Sequence, residues 1–215
     1  MAINKVGIVG SGIMGSGLAE VAARAGLTVV VRSRSQATAD AMVASVSKGL
    51  AKQVEKGRAT EEEAKAIIGR ITAVSDLSAL ADCDLVIESV VEDLDTKKKL
   101  FTELDGIVKA GAIIATNTST LPVIELAMVT KRPELVCGIH FFNPATAMPL
   151  VEVVRPLSAS DSTIEAATAF ATACGKQPVQ VKDRAGFIVN ALLFPYLNNA
   201  IRMLEQGTAN MADID

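Results

Sequence analysis

The sequence has no tryptophan and only 3% aromatic residues, although half of it is hydrophobic. A core must therefore be assembled mainly from Val, Ile, Leu, Ala and Met, which suits a parallel sheet covered by helices. Basic charge is not in excess either. The formal net charge is −3 and no aromatics alternate with Lys or Arg, which argues against nucleic acid as a partner. Cys83, Cys137 and Cys174 are odd in number and far apart, excluding a disulfide framework and the close ligand spacing of a zinc site. They read as small buried hydrophobes. No run approaches the roughly 18 uninterrupted apolar residues of a membrane helix. Met1 to Lys5 leads straight into an apolar run, with no room for a signal peptide. The expectation is a soluble, cytoplasmic protein without metal or membrane association.

What is present begins at Gly10-Ser11-Gly12-Ile13-Met14-Gly15, a G-x-G-x-x-G turn between the apolar run Ile3 to Val9 and a helical stretch that stops at Gly26. The first glycine permits the tight turn, the second a close approach to a pyrophosphate, and the third helix–strand packing. The helix start offers unpaired N–H groups to an anion. Dinucleotide binding is the expectation. A second strand, Thr28 to Val31, ends in Arg32-Ser33-Arg34-Ser35. An NAD-binding fingerprint calls for an acid about 20 residues on, yet no Asp or Glu stands between Glu20 and Asp40. Ser33 takes that place and Arg34 follows. A hydroxyl flanked by guanidinium groups can bind the 2′-phosphate that a carboxylate repels, so NADP is favoured over NAD. An ordinary solvated loop is the alternative.

Residues 37–69 read as an inserted helical hairpin. Its first helix carries Lys48, Lys52 and Lys56, a row that is either solvated or meets a ligand phosphate, and Thr60 to Glu63 forms a capping box for the second. Further strands follow at Ile71 to Val74, Leu85 to Val90 with Glu92 just beyond, and Ala112 to Ala115 with Thr116 to Thr120 at its end. A helix from about Thr96 to Val108 opens with Lys97, Lys98 and Lys99, which oppose its dipole unless one is aimed at a ligand. Val136 to Ile139 is a sixth strand, running into His140-Phe141-Phe142-Asn143-Pro144. Leu150 to Val154 is a seventh that can run antiparallel, with Glu152 among apolar neighbours and in need of a partner. A helix at 160–174, a strand at 178–181 and a long helix at 187–206 complete the pattern. The last has the apolar stripe Phe187, Ala191, Phe194, Leu197, Ile201 and Leu204, with Asn190 beside it and a kink expected at Pro195. A new N-cap is expected near Thr208, and the stop at Asp215 reads as a cut through something longer.

The fold class implied is α/β, a Rossmann-type, doubly wound and mainly parallel sheet. A dinucleotide-binding domain would span 1–185, and the start of a truncated helical domain 186–215. His140 is the only histidine. It is either a satisfied structural residue or, beside a hydride-transferring cofactor, the group that takes the substrate proton. Glu152 could then orient its ring.

The glycine turn, Glu88-Ser89-Val90-Val91-Glu92, Asn117-Thr118-Ser119, His140 to Pro144, Leu150-Val151-Glu152 and Gly186 to Asn190, in this order, resemble the 3-hydroxyacyl-CoA dehydrogenases, closest to the short-chain 3-hydroxybutyryl-CoA branch. The resemblance implies His140 as general base, Glu152 as its partner, and Ser119 and Asn190 as holders of the substrate oxygens. It implies Glu92, Lys97 and Asn117 around the nicotinamide ribose and ring, Asn143 beside the substrate, and Lys56 on the CoA phosphates. Gly10, Gly12, Ile13, Met14, Gly15, Ser33 and Arg34 would hold the rest of the cofactor. The family usually has an acid where this chain has Ser33. It also continues into a helical domain that dimerises and helps enclose the acyl-CoA. Cofactor binding is thus expected of this chain, with little turnover, and a homodimer of the full-length form. A non-catalytic structural or redox-sensing nucleotide-binding protein, and a dehydrogenase of free 3-hydroxy acids, are the competing readings.

Overall fold

In the computed structural model, which describes residues 2–215, the short Val- and Ile-rich runs pair into one eight-stranded sheet. Its strands are β1 (Lys5–Val9), β2 (Thr28–Arg32), β3 (Ile71–Val74), β4 (Leu85–Glu88), β5 (Ile113–Thr116), β6 (Val136–Phe141), β7 (Leu150–Arg155) and β8 (Gln177–Lys182). They lie in the order β3-β2-β1-β4-β5-β6-β7-β8. The first six are parallel; β7 is antiparallel to β6, and β8 is parallel to β7. Strand order reverses beside β1, which opens a crevice outside the carboxyl ends of β1 and β4.

Alternation along the strands builds a core on each face of the sheet. Val6, Ile8, Leu85 and Ile87 face Leu18, Ala22, Met42, Val46 and Phe170. These come from α1 (Ile13–Arg24), α2 (Gln36–Glu55) and α6 (Asp161–Ala173). Val9, Val86 and Ile114 face the opposite way, toward Phe101, Leu104 and Leu126. They belong to α4 (Leu94–Ile107) and α5 (Val123–Ala127). The inserted hairpin consists of α2 and α3 (Glu61–Ile68). Both carry capping boxes, the expected one at Thr60 with Glu63, and another at Ser35 with Thr38.

Several boundaries differ from the sequence reading by a residue or two, and four of them have a local reason. Strand β4 ends at Glu88 rather than Val90, because the Glu88 carboxylate takes the Val90 N–H out of the ladder at 2.6 Å. Strand β6 runs on through Phe141, because β7 pairs with it in the register His140↔Glu152 and Phe141↔Val151. His140 therefore lies within a strand and not beyond its end. The long helix α7 (Val189–Glu205) starts two residues late, since Gly186 and Phe187 both have positive φ, +75° and +49°. Phe187 accordingly joins the core, while no residue of α7 itself is buried. The last helix, α8 (Met211–Ile214), is capped by Asn210 and not Thr208, through Asn210 Oδ1 and the Asp213 N–H at 3.0 Å.

Candidate functional site

The three glycines of the turn meet three different surroundings. A Cβ on Gly10 would lie 2.3 Å from the Ser89 carbonyl oxygen, and φ there is +122°. A Cβ on Gly15 would lie 2.0 Å from the Gly10 carbonyl oxygen. Nothing stands within 4 Å of a Cβ on Gly12, so its backbone fronts open space at the start of α1. Gly10 and Gly15 close the turn, and Gly12 leaves room for a ligand to approach the free N–H groups. The cavity there measures about 950 Å³. Gly10, Ser11, Gly12, Ile13 and Met14 form its floor, and Arg32, Ser33, Arg34, Ser35 and Thr38 lie at one end. These residues fit a dinucleotide, with a pyrophosphate at the helix start and the adenosine ribose toward β2.

At that end Ser33 is buried, and its hydroxyl lies 2.7 Å from Ser11 Oγ and 2.6 Å from Thr38 Oγ1. Arg32 donates its Nε–H to the Ser75 carbonyl at 3.0 Å, whereas Arg34 is exposed at the rim. Ser33 thus sits inside a hydroxyl cluster, and Arg34 is the cation facing solvent.

A second cavity of about 390 Å³ is lined by Met14, Ser89, Val90, Glu92, Lys97, Asn117, Ser119 and Thr120. Asp93 caps α4, so the three lysines fall beyond its first residues, and they part company. Lys97 is 1% exposed, with its ammonium 2.6 Å from Glu88 and 3.3 Å from Glu92. Lys98 pairs with Glu125. Lys99 borders the larger cavity. One lysine is indeed aimed inward, but at carboxylates. Glu92 also accepts the Thr118 hydroxyl and the Ser119 N–H, the latter at 3.0 Å. Burial pushes its carboxyl pKa up, but the Thr118 bond, the Lys97 charge and the Ser119 N–H outweigh it, and the net shift is downward. Glu88, which the sequence motif contains without a role, anchors Lys97 from inside the fold. An acid closing an apolar strand, nine residues before a lysine, was the available signal.

Behind Ser119, the β6–β7 register sets His140 against Glu152. His140 Nδ1 is 2.7 Å from Glu152 Oε2, and its Nε2 is 3.1 Å from Ser119 Oγ. The other Glu152 oxygen accepts the Ile188 and Val189 N–H groups, at 2.9 and 3.0 Å, at the start of α7. The partner that Glu152 required is therefore threefold. Burial pushes its pKa up, and the hydrogen bonds from His140, Val189 and Ile188 overcome this and hold it below the ordinary value. A carboxylate at Nδ1 makes that nitrogen the N–H and leaves the Nε2 lone pair facing Ser119. The imidazole is further walled by Phe142 and Phe187, with ring centroids 4.5 and 5.5 Å away.

The remaining expected residues fall at different distances from this centre. Asn117 Oδ1 accepts the Phe141 N–H at 2.8 Å, tying the β5 loop to β6, and Asn117 lines the smaller cavity. Asn190 Nδ2 reaches the Ser119 carbonyl at 3.4 Å. Asn143 is exposed just past β6, and Lys56 is exposed at the end of α2, outside the lining of either cavity. Sequence reasoning missed Asp183, whose carboxylate caps α5 through the Val123 and Ile124 N–H groups at 3.1 and 2.7 Å. It thereby fixes the far end of the 117–122 loop. Cys83 and Cys137 are buried, with thiol pKa values pushed up by burial to about 11 and about 12, so neither is a nucleophile here. Among the described residues, no helix is long and apolar enough to cross a membrane.

This geometry has counterparts. Residues 5–184 match the NAD binding domain of 3-hydroxyacyl-CoA dehydrogenase, and residues 186–215 match its C-terminal domain. A 3-hydroxybutyryl-CoA dehydrogenase of Mycobacterium tuberculosis is 47% identical over 216 residues, covering 100% of this chain and 76% of the relative. One from Bradyrhizobium diazoefficiens is 44% identical, covering 99% and 73%. The crystal structure of (S)-3-hydroxybutyryl-CoA dehydrogenase from Ralstonia eutropha superposes with a TM-score of 0.98 at 40% identity, covering 100% of this chain and 76% of that one. The chain is a member of the 3-hydroxyacyl-CoA dehydrogenase family.

Proposed function

We propose that this chain transfers a hydride between a nicotinamide cofactor, with NADP favoured, and C3 of a short-chain 3-hydroxyacyl-CoA or 3-oxoacyl-CoA. The observation that carries the reading is the His140 dyad. Its Nδ1 is held on Glu152 at 2.7 Å and its Nε2 is turned toward Ser119 at 3.1 Å, beside the crevice. When bound, the nicotinamide supplies the redox chemistry. The chain supplies position and proton transfer. In the oxidative direction Nε2 takes the proton of the substrate 3-hydroxyl, and in the reductive direction it returns one to the carbonyl oxygen. Glu152 keeps the ring in the required tautomer and stabilises the imidazolium that forms, as the acid of a Ser-His-Asp triad does. Ser119 and Asn190 hold the substrate oxygen, and Asn143 borders the acyl group. Gly10, Gly12, Ile13, Met14 and Gly15 hold the pyrophosphate, while Glu92, Lys97 and Asn117 surround the nicotinamide side.

The preference for NADP rests on Ser33 in place of an acid and on the exposed Arg34 beside it. Choice of a CoA ester over a free acid rests on Lys56 at the end of α2. Residues 1–185 act as the nucleotide-binding unit and residues from 186 on as a helical unit. The outward apolar face of α7, including Phe194 and Ile201, is exposed and is a surface for self-association. A reducing cytoplasm suits the free cysteines.

Acetoacetyl-CoA reduction followed with NADPH and with NADH tests the proposal, with His140→Gln as control. Turnover that depends on His140 and runs faster with NADPH is expected. Absence of activity with either cofactor removes the enzymatic reading, and a strong NADH preference removes the Ser33–Arg34 argument alone.

A further inference from the structure

The wall of the smaller cavity holds one buried cation and two carboxylates. Lys97 is shared between Glu88 at 2.6 Å and Glu92 at 3.3 Å. Glu88 is fully buried and only accepts hydrogen bonds: from Lys97, from the Val90 N–H at 2.6 Å and from the Thr116 hydroxyl at 2.8 Å. Thr116 Oγ1 in turn accepts the Thr118 N–H, so its own proton is directed at Glu88. Acceptor-only bonding is that of an ionised carboxylate. Glu92 is bonded as an acceptor too, by Thr118, Ser119 and Lys97. The cluster therefore carries a surplus of one negative charge. Both Glu92 and Lys97 line the cavity, but Lys97 is buried against the carboxylates and Glu92 is the half-exposed member.

Two neighbouring charged groups are already engaged elsewhere. Lys98 is closed on Glu125. Behind Ser119 stands the His140–Glu152 pair, whose carboxylate spreads its charge over two N–H groups at the start of α7. Partial burial strengthens such a charge, because fewer waters screen it.

We infer that the Glu88–Lys97–Glu92 cluster sets redox-form selectivity, raising affinity for the oxidised cofactor, whose nicotinamide ring is cationic, relative to the reduced cofactor, whose ring is neutral. The inference rests on the proposed nicotinamide site. The glycine turn cannot make this distinction, since both redox forms carry the same pyrophosphate. Glu92 presents the charge. Glu88 is a positioning residue, which holds Lys97 mainly to itself and leaves the Glu92 charge uncompensated.

The test is the ratio of dissociation constants for the reduced and oxidised forms of one cofactor, measured on the purified chain. Calorimetry serves for the oxidised form and nucleotide fluorescence for the reduced form. Glu92→Gln is expected to shift the ratio against the oxidised form by on the order of tenfold, and Glu92→Asp to keep it near the parent value. Glu88→Gln, which cannot touch the ligand, is expected to shift it in the same direction, with its melting curve showing that it folds. Glu61→Gln, on exposed α3, is the charge control and leaves the ratio unchanged. If Glu92→Gln weakens both forms equally, Glu92 is only a hydrogen-bond partner and the inference is overturned. If the parent chain binds neither form, the proposed function falls with it.

Discussion

The two ends of the crevice are built differently. At the hydride end, Glu152 is fully buried and His140 nearly so, and each polar atom of the dyad has a partner from a different element: β7, the β5 loop and the start of α7. At the proposed adenosine end, the buried Ser33 hydroxyl joins those of half-buried Ser11 and exposed Thr38, next to the exposed Arg34. The first arrangement fixes one tautomer and one ring position, so its alteration costs rate. The second leaves its charged group exposed to water, where electrostatics are screened. Under the proposed function, chemistry belongs to the enclosed end and cofactor choice to the exposed one.

The largest expected effect is therefore at the dyad. His140→Gln removes the proton acceptor and is expected to lower kcat by roughly 10²- to 10⁴-fold, while cofactor affinity changes little. Steady-state kinetics paired with a cofactor titration separates the two. A comparable fall in cofactor affinity would erase the division between the two ends.

Glu152 links catalysis to stability. Its folded-state pKa lies below the ordinary value of 4.5, so the ionised carboxylate contributes stability above that pH. The contribution is lost as pH falls through the lowered folded value. Glu152→Gln is expected to be less stable than the parent near neutrality and to lose less on acidification, so the two melting temperatures converge as the pH falls below 4.5. Parallel melting curves from pH 7 to 3 would mean that the pair contributes nothing through ionisation. The same substitution is expected to lower kcat by about 10- to 100-fold through loss of ring orientation.

Legibility in the sequence followed the same division. Strands, helix periods and the glycine turn were readable because they depend on local pattern, and the sheet order follows from crossover rules once the strands are placed. The His140–Glu152 contact was not readable from spacing. It depends on an antiparallel register that aligns residues 12 positions apart, which also carries β6 two residues further than its apolar run suggested. The role of Glu88 was hidden because its partner lies on the next helix and its charge is satisfied entirely inside the fold. At residue 33, in contrast, the sequence offered more than a pattern. The missing acid pointed to the place, and the structure adds that the hydroxyl there is already engaged by Ser11 and Thr38.

That engagement sharpens the smallest predictions. Ser33→Asp would place a carboxylate beside Ser11 and Thr38, whose hydroxyls can turn to donate to it, so the fold is expected to tolerate the change. The carboxylate would repel a 2′-phosphate and accept from ribose hydroxyls, shifting the NADPH-to-NADH ratio of kcat/KM by on the order of tenfold toward NADH. Arg34→Ala removes an exposed cation, whose interaction is worth only about 1 kcal/mol in water, so about a fivefold loss confined to NADPH is expected. Because the Arg34 effect is a screened surface interaction, it should shrink as salt is raised from 0.05 to about 0.5 M, where the Debye length falls to a few ångströms. The His140→Gln effect should not move with salt. Equal salt dependence at the two positions would mean that the ends of the crevice share one electrostatic environment, and that the contrast between a rigid catalytic end and a screened recognition end does not hold.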